Sequence, residues 1–303
     1  MVSTAQDFAS WSPATPLFDV LHDDAGTELV LTAGGLHAHD GQLVAYVGSY
    51  AVDEQHVITD TRLLALTSTD GVTWSTAQDL HVPVIPNHGP QRLDSGRLLI
   101  AGNISFPFTD DAAGLAGWTM SGIYPAGRIG IHDDPGIFWR VREWQEWPVA
   151  LCEAAILQTD DGTVRALLRS TGHGFAGRLW ETASQDDGAS WSAPTESGFS
   201  DCDTKFHLGR LPDGRFYYVG CPDPREQHVR STLVLSLSRD GQLFDQHALI
   251  ADEPWAMGTP GRSKHGAYGY PHTLVHAGFL YVIISRQKEA IEVLRVALAD
   301  LPN

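Results

Sequence analysis

The chain has 303 residues, 43% of them hydrophobic, and carries a formal net charge of −17 at pH 7. That balance argues against nucleic acid and anionic membrane as partners, and leaves room for an acidic ligand only where a few Arg and Lys are focused on one spot. Three cysteines (Cys152, Cys202 and Cys221) lack the C-x-x-C spacing of a zinc site, and they argue equally against a disulfide framework.

The first twenty residues, MVSTAQDFASWSPATPLFDV, contain neither a basic stretch nor an apolar one of signal-peptide kind, so the expected location is cytoplasmic. No run approaches the length needed to span a bilayer. Thirty Gly and 17 Pro punctuate short aromatic and β-branched runs, the pattern of many short strands and turns. Along the chain one unit recurs: an apolar strand, a turn ending in Gly, and a second apolar strand. The second-strand starts read HDGQLVAYVG from His39, DSGRLLIAGN from Asp94, DDGTVRALLR from Asp160, PDGRFYYVGC from Pro212 and HAGFLYVIIS from His276. Their turn glycines are Gly41, Gly96, Gly162, Gly214 and Gly278, spaced by roughly fifty to sixty-six residues, the size of a four-stranded propeller blade.

A second signal lies between some of these units. SQDDGASW from Ser184 places an Asp-Gly turn between short polar side chains and a returning Trp; TSTDGVTW from Thr67 and LSRDGQLF from Leu237 are weaker copies. The expected architecture is an all-β single domain over residues 1–303, a β-propeller of five four-stranded blades. Six is the alternative if residues 106–147 hide another blade, and residues 15–20 would form an outer strand closing the ring. A β-sandwich is the competing fold, but it does not account for Asp-Gly pairs at blade spacing.

In a propeller the first strand of each blade lines the axis. Counting nine residues back from each turn glycine gives Thr32, Asn87, Glu153, Lys205 and Gly269; one residue later come Ala33, His88, Ala154, Phe206 and Tyr270. Glu153 stands out within the apolar run ALCEAAIL, because an unpaired buried carboxylate is costly. An ion pair with Lys205 is its structural reading. Glu153, His88 and Tyr270 are the candidate catalytic residues. Asn87 and Lys205, with His265 in a Gly-rich loop, are candidates for substrate binding. So are Arg169, Arg230 and Arg286 near strand ends, since guanidinium groups grip carboxylates in bidentate fashion.

The S-x-D-x-G-x-[ST]-W pattern at residues 184–191 resembles the Asp-box, or BNR repeat, of the sialidase-like superfamily. The resemblance runs from about Gly34 onward. It implies the propeller fold and glycan chemistry, with an Arg triad, a Tyr–Glu nucleophile pair and an Asp acid/base near an R-I-P motif. Here the matching region reads AGGLHAHDG, with His37 and His39 and no Arg. The ending YGYPHTLVHAGFLYVIISRQKEAIEVLRV resembles rhamnose–glucuronate lyases and ulvan lyases, which implies His, Tyr and Arg at the axis. The expected function is cleavage of a glycosidic bond in an acidic, uronate-containing oligosaccharide, with hydrolysis ranked ahead of β-elimination. A non-catalytic glycan-binding propeller is the competing class. In the hydrolase reading Asp201 or Asp203 is the second carboxylate, with Asp133 and Asp134 as further options. No cofactor or metal is expected, a structural calcium being left open for want of a D-x-D-x-D loop, and oligomeric state is open.

Overall fold

Each turn glycine of the repeat closes a hairpin between a first and a second strand. The computed structural model describes residues 1, 3–52, 58–123, 150–171, 177–225, 227–261, 264 and 266–302. Two of the five hairpins are two-residue turns. Asp40 (φ 46°) and Gly41 (φ 76°) make one, between the paired residues His39 and Gln42. Ala277 (φ 48°) and Gly278 (φ 81°) make the other, between His276 and Phe279. Positive φ at both central positions matches the right-handed twist of the flanking strands. The other three are one residue longer. In each, the glycine N–H donates three residues back, as Gly162 does to Thr159 O at 2.9 Å and Gly214 to Leu211 O at 3.0 Å.

By internal contacts the chain divides into two compact units: Met1–Glu146 with Asp186–Trp191, and Trp147–Gln185 with Ser192–Asn303. The first unit holds a four-stranded antiparallel sheet, β1 (Val30–His39), β2 (Gln42–Val52), β3 (Ile58–Ser68) and β4 (Gln78–Asp79), in that spatial order. It also holds a short three-stranded sheet of β5 (Gln91–Arg92), β6 (Leu98–Leu99) and β7 (Phe108–Thr109). Its core gathers Val44, Tyr46, Leu63, Ala65, Val82, Val84 and Ile100. Residues 15–20 do not form a continuous strand: Thr15 alone is a β-bridge position, Leu17 and Phe18 pack their side chains onto Val47, Leu64 and Leu66 of the first sheet, and two of the six positions are bends. Pro16 removes a backbone donor there, which disfavours ladder pairing.

The second unit holds three antiparallel sheets. The first has spatial order β11-β10-β9-β8, built from β8 (Ala150–Gln158), β9 (Val164–Thr171), β10 (Arg178–Ser184) and β11 (Thr195–Ser200). The second runs β12 (His207–Arg210), β13 (Phe216–Gly220), β14 (Leu233–Ser238) and β15 (Gln246–Ala251). The third has β16 (Gly269–His276), β17 (Phe279–Arg286) and β18 (Ala290–Ala297). The KEAIEVLRVALADL ending is the single strand β18 followed by a 3₁₀ turn at Leu298–Asp300. Apolar residues of neighbouring sheets interlock: Tyr217, Val219, Leu233 and Leu235 pack with Leu280, Val282 and Ile284, and Leu157, Leu167 and Leu179 with Phe206, Phe216 and Tyr218. All three cysteines are free thiols.

The Asp-Gly boxes sit between third and fourth strands of their sheets. Asp70 accepts from the Val72 and Thr73 amides at 2.8 and 2.7 Å, and Asp240 from those of Gln242 and Leu243 at 2.8 and 2.9 Å. Asp186 accepts from the Ser190 amide at 2.8 Å and its hydroxyl at 2.6 Å. In that box Trp191 Nε1 donates to Gly188 O at 3.1 Å, and its ring lies 4.6 Å from Phe106. No helix among the described residues is long and apolar enough to cross a membrane.

Candidate functional site

Register breaks put functional groups at the starts of first strands. The ladder shifts between Ala33 and Gly35 in β1, between Cys152 and Ala155 in β8, and between Gly269 and His272 in β16. A bulge re-aims side chains at one point of an otherwise regular strand. Within the second unit the two bulges hold Glu153 (φ 39°) and Tyr270 (φ 57°), both left-handed although neither is glycine. Residues held in sparsely populated conformations recur at functional sites, because the surroundings must supply what the backbone loses.

Glu153 is paired across the first of these sheets. Arg169, in β9, donates through one terminal nitrogen to Glu153 and through Nε to Asp203. Asp203 is fully buried and also accepts from Thr171 Oγ1 at 2.9 Å and from Gln227 Nε2; the His228 ring lies 3.4 Å from its second oxygen. Burial works against the Arg169 charge, but Glu153 and Asp203 together outweigh it and keep the guanidinium protonated. The expected Glu153–Lys205 ion pair is therefore an Arg169 pair instead. Asp201, buried beside it, is pushed up to about 8 by desolvation and is a neutral acid at pH 7.

Around Tyr270 the balance of charge is different. The Lys205 ammonium lies 5.9 Å from the Tyr270 ring centre, the Arg230 guanidinium 5.1 Å and the Lys288 ammonium 6.0 Å, all within cation–π range. Among the described residues none of the three forms a salt bridge. Arg230 is 6% exposed and its buried Nε has no hydrogen-bond partner; Lys205 is 7% exposed. Desolvation brings Lys205 down to about 8, with Glu153 pulling the other way. Burial and the nearby Arg230 charge lower Lys288 as well. Lys205 Nζ is 3.2 Å from His272 Nε2, and the His272 ring stacks on His207 at 5.9 Å. Burial and the Lys205 charge hold both imidazoles neutral, at about 2 for His272 and about 3 for His207. His207 in turn bonds Thr273, whose hydroxyl is 2.7 Å from Tyr217 OH.

Five of the residues singled out in the sequence thus meet in the second unit: Glu153, Arg169, Lys205, Arg230 and Tyr270. Arg286 does not join them. It donates to Glu292 at 2.6 Å and to Glu253 O at 3.0 Å, between the rings of Tyr268 and Trp255. Lys264 is held by Glu289 at 2.9 Å and Thr259 O at 2.6 Å. Asn87 and His88 are buried in the first unit, where the Asn87 amide nitrogens bond Ala101 O and Gly102 O. His265, Asp133 and Asp134 lie outside the described residues. Lys288 and His272 escaped the sequence reading. A lysine in a hairpin turn is ordinarily solvated, but the spacing of His272, two residues after Tyr270 on the same first strand, was available as a signal.

Residues 1–282 match the BNR repeat-like domain, and the chain belongs to that family. Its fold is shared with sialidase structures at low identity. A Hadza microbial sialidase superposes with a TM-score of 0.68 at 11% identity, covering 99% of this chain and 59% of the other. A leech intramolecular trans-sialidase, solved with 2,7-anhydro-Neu5Ac, gives 0.61 at 12% identity, with 99% and 63% covered. A Dyadobacter fermentans protein of unknown function gives 0.65 at 14% identity, with 97% and 81% covered. The chain therefore spans about three-fifths of the length of these two sialidases. A search of curated proteins finds no match.

Proposed function

We propose that this protein binds an acidic glycan at the Tyr270 cluster and hydrolyses one of its glycosidic bonds, its five sheets serving as propeller blades. The observation that carries the reading is a group of three cations, the buried Lys205 and Arg230 and the exposed Lys288, that face one phenol ring without a carboxylate partner among the described residues. Isolated buried charges are expensive, and a chain with 37 Asp and Glu had ample means to pair them. An anionic substrate completes the set. The family and the sialidase neighbours support a glycan as that substrate.

For cleavage, the carboxylate pair first expected is poorly supplied. Asp203 is buried under Arg169, Thr171 and Gln227, and Asp201 is neutral. Tyr270 and Glu153, on equivalent bulges and sharing the field of Lys205, serve better. In this scheme the Tyr270 oxygen attacks the anomeric carbon as the glycosidic C–O bond breaks. Glu153 takes the phenol proton, the leaving oxygen takes one from solvent, and water then releases the sugar. Lys205, Arg230 and Lys288 hold the acidic group and favour the developing phenolate.

The test is a panel of acidic and neutral oligosaccharides, assayed for new reducing ends and for the ultraviolet absorbance of an unsaturated uronate. New reducing ends without absorbance, from acidic substrates only, are expected. A rise in absorbance would assign β-elimination, with the cations neutralising a uronate carboxylate. Binding without either product would leave a glycan-binding module, and binding of neutral glycans alone would overturn the reading.

A further inference from the structure

The charge of the Tyr270 cluster does not balance for a singly charged ligand. Arg169, Lys205, Arg230 and Lys288 supply four positive charges, and Glu153 and Asp203 supply two negative ones. These groups form one electrostatic set, since Lys288 feels Arg230, Glu153 and Arg169, and Lys205 feels Glu153. Of the other titratable groups near them among the described residues, His272 and His207 are held neutral, Asp201 is protonated, burial keeps the Cys152 thiol uncharged, and the His228 ring faces Asp203. Among the six paired and ring-facing groups two positive charges remain, in a protein whose net charge is −17.

A monoanion compensates one of them and leaves the other desolvated and unpaired, at a cost that grows as the ligand expels water. From this excess we infer that the site is built for a doubly negative group, two anionic charges within the span of one sugar residue. A phosphate monoester and a sulfated uronate share that chemistry. The inference rests on the glycan reading for the sugar, but not for the charge. It also carries its own control, because one of the two surplus charges belongs to Lys205. The excess falls to a single charge as Lys205 loses its proton around pH 8, with Arg230 and Lys288 facing it from the same ring and Glu153 opposing.

The test is calorimetric titration of the full chain with acetate, malonate and sulfate at matched, low ionic strength. At pH 7 malonate and sulfate are expected to bind at least tenfold more tightly than acetate. The ratio should shrink toward unity above pH 8, and be close to unity at pH 7 in Lys205→Met. Lys288→Met tests the same balance from an exposed turn, should Lys205→Met not fold. Equal binding of acetate and malonate, or a preference for dianions that survives unchanged in both variants, would overturn the inference. Oligosaccharides with no, one or two charges per residue then separate it from the function. Preference for malonate with no glycan bound rejects the glycan reading alone. Equal affinity for singly and doubly charged glycans rejects the dianion alone. A sugar phosphate set against a sulfated uronic acid distinguishes the two sources.

Discussion

Arg230 and Arg286 are both buried arginines lying over tyrosine rings in the second unit, at 5.1 and 4.4 Å, yet their surroundings are opposite. Arg286 is charge-paired, although its Nε, like that of Arg230, has no hydrogen-bond partner among the described residues. Glu292 and the Glu253 carbonyl accept its protons, Trp255 covers its other side, and the Tyr268 hydroxyl is itself bonded to Glu253 at 2.9 Å. Desolvation and Glu253 push Tyr268 up to about 12, so its phenol stays protonated. Arg230 shares Tyr270 with two lysines and forms no salt bridge among the described residues. The same pair of residue types is a charge-paired strut in one place and, among the described residues, open to a counter-charge in the other. What separates them is whether the fold supplies the counter-charge.

The largest effect should come from the open side. Tyr270→Phe keeps the ring and the cation contacts and removes only the hydroxyl. It should lower turnover of an acidic oligosaccharide by a factor on the order of 10³ with thermal stability unchanged, the scale for losing a nucleophile. Full activity in this variant would return Tyr270 to a purely structural rank and erase the contrast with Tyr268.

Next in size is Lys205, whose burial is a cost to the fold. Its folded pKa of about 8 lies below its unfolded value of 10.5, so below pH 8 the native state carries the full penalty of a desolvated charge. Between pH 8 and 10.5 the unfolded chain binds the extra proton, and stability rises with pH through that window. Lys205→Met should therefore raise stability at pH 7 by up to about 3 kcal/mol and flatten the rise. Chemical denaturation at pH 7 and pH 10 reads both. A variant less stable than the parent at pH 7 would mean that the ammonium is compensated after all.

Arg286→Met and Arg230→Met set the two regions side by side. The first removes a guanidinium stacked between two rings and bonded to Glu292, and should cost about 2 kcal/mol in a denaturation titration. The second should leave stability unchanged or raise it, while abolishing anion binding, since it removes a buried charge with no counter-charge to strand. Equal losses of stability would show that the open side is as much a part of the fold as the strut.

Much of this could be read from the chain because the turn glycines and first-strand bulges keep a nearly constant spacing. Nine residues back from Gly162 lands on Glu153, and from Gly214 on Lys205. In the last sheet the bulged residue is one position later, at Tyr270, because that sheet uses the shorter two-residue turn. Partners were not legible in the same way. Glu153 meets Arg169 because β8 and β9 pair Cys152 with Arg169 across the bulge, a register no local pattern reports. Likewise, Arg286 and Arg230 both follow or open strands in the sequence, and only the pairing of β17 with β18 brings Glu292 to the former. The apolar alternation dictated the strands; the charge pairing of the site arose from strand register within sheets and from contacts between them.

The smallest effect belongs to the Asp-box at residues 184–191. Asp186 is exposed, and its carboxylate closes its own loop through the Ser190 amide and hydroxyl. In that respect it resembles the paired Arg286 side of the comparison, on a smaller scale. Asp186→Ala loses two local hydrogen bonds that water replaces in part, and should lower stability by about 1 kcal/mol. The loop keeps other fastenings, since Trp191 still packs on Phe106 and donates to Ser121 Oγ at 3.2 Å, and Gly188 O still accepts from Ser121 at 2.6 Å. Turnover and anion binding should not move, because the loop carries none of the Tyr270 cluster. A thermal melt beside an activity assay decides it: activity lost at unchanged melting temperature would place the box in the chemistry, whereas the reverse confines it to fastening one turn.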